Sequence, residues 1–418
     1  MKLTTRSDRT AALKEALSRR VLVLDGAMGT ALQDKDLGPA DFGGAALEGC
    51  NENLVLTRPD VVLDIHKAYL AAGCDIVETN TFGGTPLVLA EYDLAAKADE
   101  LNITATRLAR AACDEYTTSD RPRFVAGSIG PTTKALSVTG GVTFEELIEH
   151  FYAQARGLYI GGSDYYLVET CQDTRNIKAA ILGIERWFAE GNEPIPIAVS
   201  GTIEPMGTML AGQSVDALAT SLEHVDLLYL GLNCATGPAF MTDHIRSLAA
   251  QTRALVSCVP NAGLPDENGQ YLETPDMVAR VLRRFGEEGW LNVIGGCCGT
   301  RAEHIAALAR LAPELTPRAP KTVSRSTLSG VDYLEVTDDQ RPLLVGERTN
   351  VIGSKKFKDL IVAEKFDDAA EVARAQVKNA AAIIDVCLAN PDRDELSDMR
   401  RFLDVAHEAD QARPTPRI

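Results

Sequence analysis

One pattern recurs eight times along roughly the first 310 residues: a short apolar run followed at once by a polar loop. In its first copy Val21-Leu-Val-Leu leads into Asp25-Gly-Ala-Met-Gly-Thr30. A continuous apolar run of this length is typical of a parallel strand that is buried on both faces. Stretches with helical periodicity separate the copies. The recurrence therefore predicts strands that alternate with helices around a parallel sheet.

The predicted strands, most of them given with the loop that follows, cover residues 21–30, 74–81, 124–131, 165–171, 197–200, 227–234, 255–261 and 291–294. The predicted helical stretches between and before them include 10–19, 61–72, 95–116, 144–160, 215–224, 239–251 and 276–288.

Eight strand–helix units predict a (β/α)8 TIM barrel, an α/β fold, over residues 1–312. A doubly wound open sheet is the structural alternative. That fold would favour a Gly-x-Gly-x-x-Gly turn after a strand or a Gly-x-x-x-x-Gly-Lys-Ser/Thr loop, and the sequence contains neither. The barrel is the favoured prediction.

The pattern changes after residue 312. Prolines and a Ser/Thr-rich stretch predict an extended linker over residues 313–342. Residues 343–418 then begin a truncated second α/β segment: a strand at 343–350, a helix at 367–381, a strand at 382–387 and a further helix. Two strands cannot close a barrel or bury their faces alone. We expect either a fragment of a longer protein or a tail that docks on the barrel or on another subunit.

The charge balance narrows the possible partners. Asp and Glu number 59 against 42 Lys and Arg, which gives a net charge of −17. This argues against nucleic acid and against an anionic membrane as partners. The sequence shows no apolar run long enough for a membrane span and no secretory signal, and its nine cysteines are irregularly spaced. We expect a cytoplasmic protein with reduced thiols.

The last predicted strand ends in Gly295-Gly-Cys-Cys-Gly299. Adjacent cysteines are poorly placed to form a disulfide with each other, but both can bind one soft metal ion if the backbone bends. Cys234 ends the sixth predicted strand, and strands six and eight both flank strand seven in a closed barrel. Cys234, Cys297 and Cys298 are therefore predicted to form a Zn²⁺ site with its fourth position open.

Such a site favours a particular chemistry. Three thiolates leave the zinc centre with a net negative charge, which makes it a weak activator of water. It can still bind a fourth thiol and lower the pKa of that thiol. The expected reaction is S-alkylation of a thiol substrate, in which the three cysteines are the catalytic centre. Asp25 and Glu169, at other strand ends, are suited to hold an ammonium group, so an amino-acid thiol fits.

Four more residues at strand ends are candidate substrate contacts: Met28, Glu78, Asn233 and Asn261. Glu78 could instead support the loops, Asp25 could cap the helix that follows it, and Asn261 could lend its amide oxygen to zinc. Most of the remaining cysteines are expected to be structural; these are Cys74, Cys113, Cys171, Cys258 and Cys387. Cys50 lies in a loop without a recognisable partner.

At these residues the chain resembles the homocysteine S-methyltransferases. The matching motifs are Gly295-Gly-Cys-Cys-Gly299, Asn233-Cys234, Leu24-Asp-Gly-Ala-Met-Gly-Thr30 and Glu78-Thr-Asn-Thr-Phe82. The resemblance covers about residues 10–312. It implies zinc held by the three cysteines and the sulfur of homocysteine as fourth ligand. It also implies that Asp25 and Glu169 hold the amino group of homocysteine.

This family divides by methyl donor. Stand-alone members use betaine or S-methylmethionine, whereas cobalamin-dependent methionine synthases have further domains. Val345-Gly-Glu-Arg-Thr-Asn-Val-Ile-Gly-Ser354 resembles the entry to their pterin-binding barrel, which implies pterin contacts for Glu347, Asn350 and Asp385. The cobalamin-binding Asp-x-His-x-x-Gly motif is absent from the sequence.

The resemblance therefore implies that this chain binds homocysteine and zinc. Methylcobalamin and methyltetrahydrofolate would act only through missing domains or partners, such as a cobalamin-binding domain or protein. A zinc- or thiol-binding module without transfer activity is the non-enzymatic alternative.

Overall fold

The computed structural model describes residues 5–320 and 325–411 of the 418-residue chain. It divides into two compact units, Met1–Val323 and Ser324–Ile418.

The described residues of the first unit form eight parallel strands, β1 to β8. In chain order they are Leu22–Val23, Ile76–Glu78, Phe124–Ile129, Tyr165–Cys171, Ile197–Gly201, Leu227–Asn233, Leu255–Val259 and Val293–Ile294.

The strands close into a barrel. Their order is β1-β8-β7-β6-β5-β4-β3-β2, with β1 paired to β8 through Leu22 and Val293. The circle is completed by a bridge between Leu24 and Ile76, and the amide of Asp75 donates to the carbonyl of Val23 at 2.7 Å. The prediction of an eight-stranded α/β barrel is confirmed.

Twelve helices in the described part of this unit, α1 to α12, precede, connect and follow the strands. They are Arg6–Arg19, Met28–Gln33, Leu54–Thr57, Pro59–Ala72, Pro86–Leu89, Ala98–Tyr116, Phe144–Gly161, Thr174–Ala189, Val215–Ser221, Thr242–Gln251, Pro275–Glu287 and Ala302–Leu311. Several begin at a side chain that accepts a hydrogen bond from the first turn, which satisfies an otherwise free backbone N–H; these caps are Thr85, Thr143, Asp173, Ser214 and Thr274.

Alternation along the strands produces two apolar layers. One set of side chains fills the barrel interior: Leu22, Leu24, Ile76, Phe124, Ala126, Tyr165, Leu167, Ala198, Tyr229, Val259 and Val293. The intervening residues, such as Val23, Val77 and Val125, pack against the surrounding helices. Leu13 and Leu17 of α1 join the interior cluster, and α1 also binds Asp164 at the start of β4 through Arg9. Helix α1 therefore closes the end of the barrel where the strands begin, which leaves the opposite end for a site.

Buried polar side chains immediately before β2, β4 and β8 tie each of these strands to its neighbour. The backbone amide of Val23 donates to Asp75, that of Val125 to Asp164, and that of Val256 to Asn292, at 2.8 to 3.0 Å. Arginine side chains neutralise the two carboxylates. These groups set the register of the barrel at the end where the strands begin, which is remote from their carboxyl ends.

The second unit contains a hairpin of β9 (Thr327–Ser329) and β10 (Tyr333–Glu335), and a parallel pair of β11 (Val345–Asn350) and β12 (Ile383–Cys387). Its helices α13, α14 and α15 are Lys355–Val362, Phe366–Lys378 and Glu395–Gln411. Phe357 and Phe402 pack edge to face in its core, with ring centroids 5.2 Å apart. Within this unit Leu344 and Val345 are about half exposed, as expected for two strands that cannot cover both of their faces.

The sequence predicted the strand–helix–strand–helix order of this unit but not helix α13 or the β9–β10 hairpin. None of the helices in the two described ranges is long and apolar enough to cross a membrane.

Candidate metal centre

The first part of the site is the end of β6. Cys234 and Ala235 both have φ of +58°, in the left-handed region that residues other than glycine rarely adopt. The backbone amide of Cys234 donates to the carbonyl of Val259 on β7 at 3.3 Å. The chain therefore turns sharply as it leaves the strand, next to the end of β7.

The second part is the loop after β8. The amide of Cys297 donates to the carbonyl of Pro260 at 2.8 Å, and the carbonyl of Cys298 accepts from Ala262 at 2.9 Å. Gly299 has φ of +79°, and a Cβ there would lie 2.2 Å from Cγ of Tyr271. Only glycine fits this position, because any side chain would both strain the backbone and collide with the Tyr271 ring.

The three sulfur atoms of Cys234, Cys297 and Cys298 lie within 4.8 Å of one another. The Cys234 and Cys298 sulfurs are 3.8 Å apart. Two thiolates bound at about 2.3 Å to one tetrahedral zinc ion lie roughly 3.8 Å apart, so this spacing fits such a centre. All three residues are partly buried free thiols. The donor set suits a soft, tetrahedral cation.

Hydrogen bonds from the thiols of Cys234 and Cys297, together with one from Tyr271, lower the pKa of Cys298 to about 3. Hydrogen bonds with Cys234 and Cys298, followed by burial, raise the pKa of Cys297 well above its usual range. Without a cation, the cluster therefore stabilises one thiolate at the expense of its neighbours. A divalent cation would allow all three sulfurs to be ionised together.

A polar layer lies above the apolar interior of the barrel. The inward positions of β2 to β5, two residues beyond the last apolar ones, are Glu78, Ser128, Glu169 and Ser200, and the inward Asn233 of β6 lies four residues beyond Tyr229. Asp25 joins them after β1, and its Oδ2 accepts from the amide of Glu78 at 3.1 Å. The strand ends thus place three carboxyl groups at the same end of the barrel as the three thiols.

Burial and repulsion from neighbouring charges disfavour the ionised form of each of these three carboxyl groups. Burial, and then the charge of Glu169, raise the pKa of Asp25. Burial raises the pKa of Glu169 to about 7, although a hydrogen bond from Ser128 opposes the shift. Burial, followed by the charges of Glu169 and Asp25, also raises the pKa of Glu78. A cation placed among them would relieve this repulsion.

Among the residues that the structure describes, the buried oxygen atoms at this end that have no hydrogen-bond partner include Oδ1 of Asp25 and Oδ1 of Asn261. Both residues are 3% exposed. Unpaired buried acceptors are costly, and each suits a ligand that brings a donor or a cation. Met28 is less specialised: it begins α2 and packs its partly buried side chain against the helix layer.

Asn233 is fully engaged by the protein. Its Oδ1 accepts from Ser200 Oγ at 2.7 Å and from the amide of Thr170 at 3.0 Å. Its Nδ2 lies 2.8 Å from Thr170 Oγ1 and 3.8 Å from the sulfur of Cys297. The structure therefore places this predicted substrate contact against a candidate metal ligand.

Sequence reasoning did not single out Ser128, Ser200 or Tyr271 as functional. The first two carry a usable signal, since each is a polar residue near the end of a buried strand. Tyr271 carries none, because it lies in the long loop between β7 and α11.

Four cysteines predicted to be structural, Cys74, Cys113, Cys171 and Cys258, are buried in the first unit. Burial raises the pKa of each thiol, which makes them poor nucleophiles. Cys50 is also buried, with Glu52 4.0 Å away. Cys387 is partly exposed at the end of β12.

The three predicted pterin contacts lie on the paired strands of the second unit. Nδ2 of Asn350 is 3.3 Å from Oδ2 of Asp385. Glu347 and Asp385 are exposed, and Asn350 is partly buried. The two strands thus bring an amide and a carboxylate together on an accessible edge.

Comparisons with known proteins agree with the division of the chain into a barrel unit and a second unit. The family model for homocysteine S-methyltransferase matches residues 22–312, and the model for pterin binding enzymes matches residues 346–416. Methionine synthase from Mycobacterium leprae (strain TN) is 42% identical over 397 residues, which are 93% of this chain and 33% of that protein. The chain therefore spans about one third of the length of the curated relative it matches.

Solved structures show a related fold. The metallated form of the homocysteine methyltransferase MmuM from Escherichia coli aligns with a TM-score of 0.59 and 22% identity, covering 72% of this chain and 98% of that one. Its apo form aligns with a TM-score of 0.54 and 20% identity, over 70% of this chain and 96% of that one. With the family match across the whole barrel, these findings establish that the chain belongs to the homocysteine S-methyltransferases, a family of methyltransferases.

Proposed function

We infer that the first unit binds homocysteine and activates its thiol for methyl transfer, which yields methionine. The observation that carries this function is the convergence of three sulfurs within 4.8 Å at the same end of the barrel as buried carboxyl groups. An amino-acid thiol has complementary groups for both. The family match over residues 22–312 supports the choice of homocysteine.

The carboxyl groups would receive the substrate's ammonium group. Oδ1 of Asp25 has no hydrogen-bond partner in the described part of the chain, and the pKa of Glu169 is raised by burial. A bound ammonium group would pair with both and favour their ionised forms. This contact would orient the substrate with its sulfur towards the cysteines. Met28, Glu78 and Asn261 remain candidate contacts along its path.

Cys234, Cys297 and Cys298 would hold Zn²⁺, which fits their spacing and donor type. Zinc bound there would supply a fourth coordination position for the substrate's sulfur and lower the pKa of its thiol. The protein's own part is to hold the three thiolates on one side of that position. Asn261, with its free Oδ1, could occupy the position when substrate is absent.

We assign methylcobalamin as the immediate methyl donor, with methyltetrahydrofolate as the ultimate one. The match of residues 346–416 to pterin binding enzymes and the identity with a methionine synthase support this assignment. Residues 343–418 would be the incomplete start of a folate-binding barrel, joined to the homocysteine barrel of residues 1–312 by the linker of 313–342. Glu347, Asn350 and Asp385 would contact the pterin once that barrel is complete, and the cobalamin-binding domain or protein would be a separate partner.

Zinc-edge X-ray absorption tests the thiol-activation step. The sulfur count at zinc should rise from three to four when homocysteine is added. An unchanged count would leave only a zinc- or thiol-binding module without transfer activity.

A donor screen tests the second half of the proposal. The purified chain with zinc and homocysteine should form methionine from methylcobalamin. Rapid turnover with S-methylmethionine or betaine, without cobalamin, would instead identify a stand-alone homocysteine S-methyltransferase.

The free state of all nine cysteines fits a reducing compartment, and we propose the cytoplasm as the location of the protein.

A further inference from the structure

The hydrogen bonds of Asn233 fix the orientation of its side-chain amide. The backbone N–H of Thr170 can only donate, and it faces one end of the amide at 3.0 Å. That end must therefore be the oxygen, which also accepts from Ser200. The nitrogen consequently faces Thr170 Oγ1 and the sulfur of Cys297. Asn233 is 3% exposed, so water does not compete for these positions.

This arrangement uses both hydrogens of the amide nitrogen. One points towards Thr170 Oγ1, 2.8 Å away, and the other is left for the sulfur of Cys297 at 3.8 Å. An N–H group that donates to a thiolate withdraws negative charge from the sulfur. A metal bound to that sulfur then receives less charge and binds a further anionic ligand more strongly. This withdrawal of charge favours binding of a fourth thiolate, because three thiolates already give the metal centre a net negative charge.

Asn233 also connects the two halves of the site. Thr170 has φ of +54°, an unusual conformation for a β-branched residue, and Asn233 binds both its backbone amide and its hydroxyl. The residue before it is Glu169, which carries one of the buried carboxyl groups. The same amide that contacts Cys297 therefore holds the backbone beside this carboxyl group.

We propose that Asn233 is a positioning residue that donates a hydrogen bond to the metal ligand Cys297 and thereby strengthens binding of the substrate's thiol. This role rests on the proposed zinc-dependent function, and it replaces the direct substrate contact expected from the sequence. Ser200 holds the amide from the opposite side but does not touch sulfur. Loss of Asn233 is expected to weaken homocysteine binding by about tenfold or more.

The test uses Co²⁺ in place of zinc, because thiolate-to-cobalt absorption reports the charge on sulfur. In Asn233→Ala this absorption should move to longer wavelength, and the dissociation constant for homocysteine, measured by absorption titration, should rise. Asn233→Asp removes the N–H donor but keeps the shape, and it should behave alike. Ser200→Ala removes a bond from the same network but not the contact with sulfur, so its absorption should stay at the wild-type wavelength.

The outcomes separate two failures. If the wild-type cobalt protein shows no new thiolate absorption on addition of homocysteine, the proposed function itself is wrong. If the wild type responds but the absorption of both Asn233 variants stays unshifted, the hydrogen bond to Cys297 has no electronic role and the inference is overturned. An equal shift in Ser200→Ala would also overturn it, because the effect would then come from general loosening of the strand ends.

Discussion

The sulfur of Cys234 lies 3.8 Å from the sulfur of Cys298, although 64 positions separate the two residues in the sequence. Strands β6 and β8 both pair with β7, which brings their ends together on one side of the barrel. The turn at Cys234, with φ of +58°, is part of this arrangement. The metal centre is therefore a product of barrel closure as well as of the two motifs.

The three cysteines should be individually necessary for metal binding. We expect Cys234→Ala, Cys297→Ala and Cys298→Ala each to lose stoichiometric zinc, because two thiolates are too few protein ligands to hold the ion. Metal analysis after dialysis measures this. Cys113→Ala is the control, since its thiol is buried in α6 and lies 3.4 Å from the carbonyl of Phe124. Stoichiometric zinc in Cys234→Ala would show that β6 does not contribute to the centre.

Much of this site could be predicted from the sequence because the order of the strands in the barrel determines which residues meet. Apolar runs mark the strands, and the closed order of the strands brings Cys234 to the Cys297–Cys298 pair. The role of Asn233 could not be predicted in this way. It depends on which atoms of Thr170 and Ser200 face its amide, and residue spacing holds no information on that.

The missed elements have a similar explanation. Helix α13 is only eight residues long, so its apolar positions give too few repeats to establish a period. Strands β9 and β10 have three residues each and are at most partly buried, so no alternation of apolar and polar residues marks them. Tyr271 reaches Gly299 from a separate loop, and local sequence around either residue does not reveal the contact.

The buried carboxyl group of Glu169 should lower the free energy of unfolding at high pH, although its charge favours substrate binding. Its pKa is raised from 4.5 to about 7, so between these values the folded state holds more protons than the unfolded state. Stability therefore falls as the pH rises through this window, and the loss is complete above pH 7. In Glu169→Gln the carboxyl group is replaced by an amide, which does not titrate. At pH 8 we expect it to be more stable than the wild type by roughly 2–3 kcal/mol, and at pH 5 by much less.

Urea unfolding of the metal-free protein at both pH values measures this difference. Tryptophan fluorescence reports the first unit alone, because both tryptophans of the chain, Trp187 and Trp290, belong to it. The same variant should bind homocysteine more weakly, since it cannot carry the charge that pairs with the ammonium group. Equal stability of the two proteins at pH 8 would show that the carboxyl group ionises without penalty.

Gly299 should be intolerant of any side chain. In Gly299→Ala the new Cβ would lie 2.2 Å from Cγ of Tyr271, in addition to the strain of φ at +79°. Gly289→Ala is a matched control, because φ there is +71° and a Cβ would meet no atom within 4 Å. We expect about 1–2 kcal/mol of destabilisation in the control. Gly299→Ala should cost more and should also lose zinc, because the loop that carries Cys298 must move.

Both quantities are accessible by urea unfolding and metal analysis. The double variant Gly299→Ala with Tyr271→Gly should regain zinc, since it removes both Cγ and Cβ of Tyr271, which would lie 2.2 and 2.3 Å from the new Cβ, and only the backbone strain remains. If Gly299→Ala keeps its zinc and is no less stable than Gly289→Ala, the contact between the Gly299 backbone and Tyr271 does not shape the centre.

Asp164 at the opposite end of the barrel should be among the strongest determinants of stability. Its carboxylate is inaccessible to solvent, pairs with Arg9 and Arg110, and accepts from the amide of Val125. Asp164→Ala takes their carboxylate acceptor from Arg9 and from the buried amide of Val125, and it removes one of the two carboxylates that pair with Arg110; breaking a buried pair typically costs about 3–5 kcal/mol. Asp114→Ala is the matched control: Asp114 pairs with the same Arg110 but is 67% exposed, so its loss should cost about 0.5 kcal/mol or less. Tryptophan fluorescence during urea unfolding compares the two. Similar losses in both variants would mean that Arg110, and not the burial of Asp164, determines the stability of this end of the barrel.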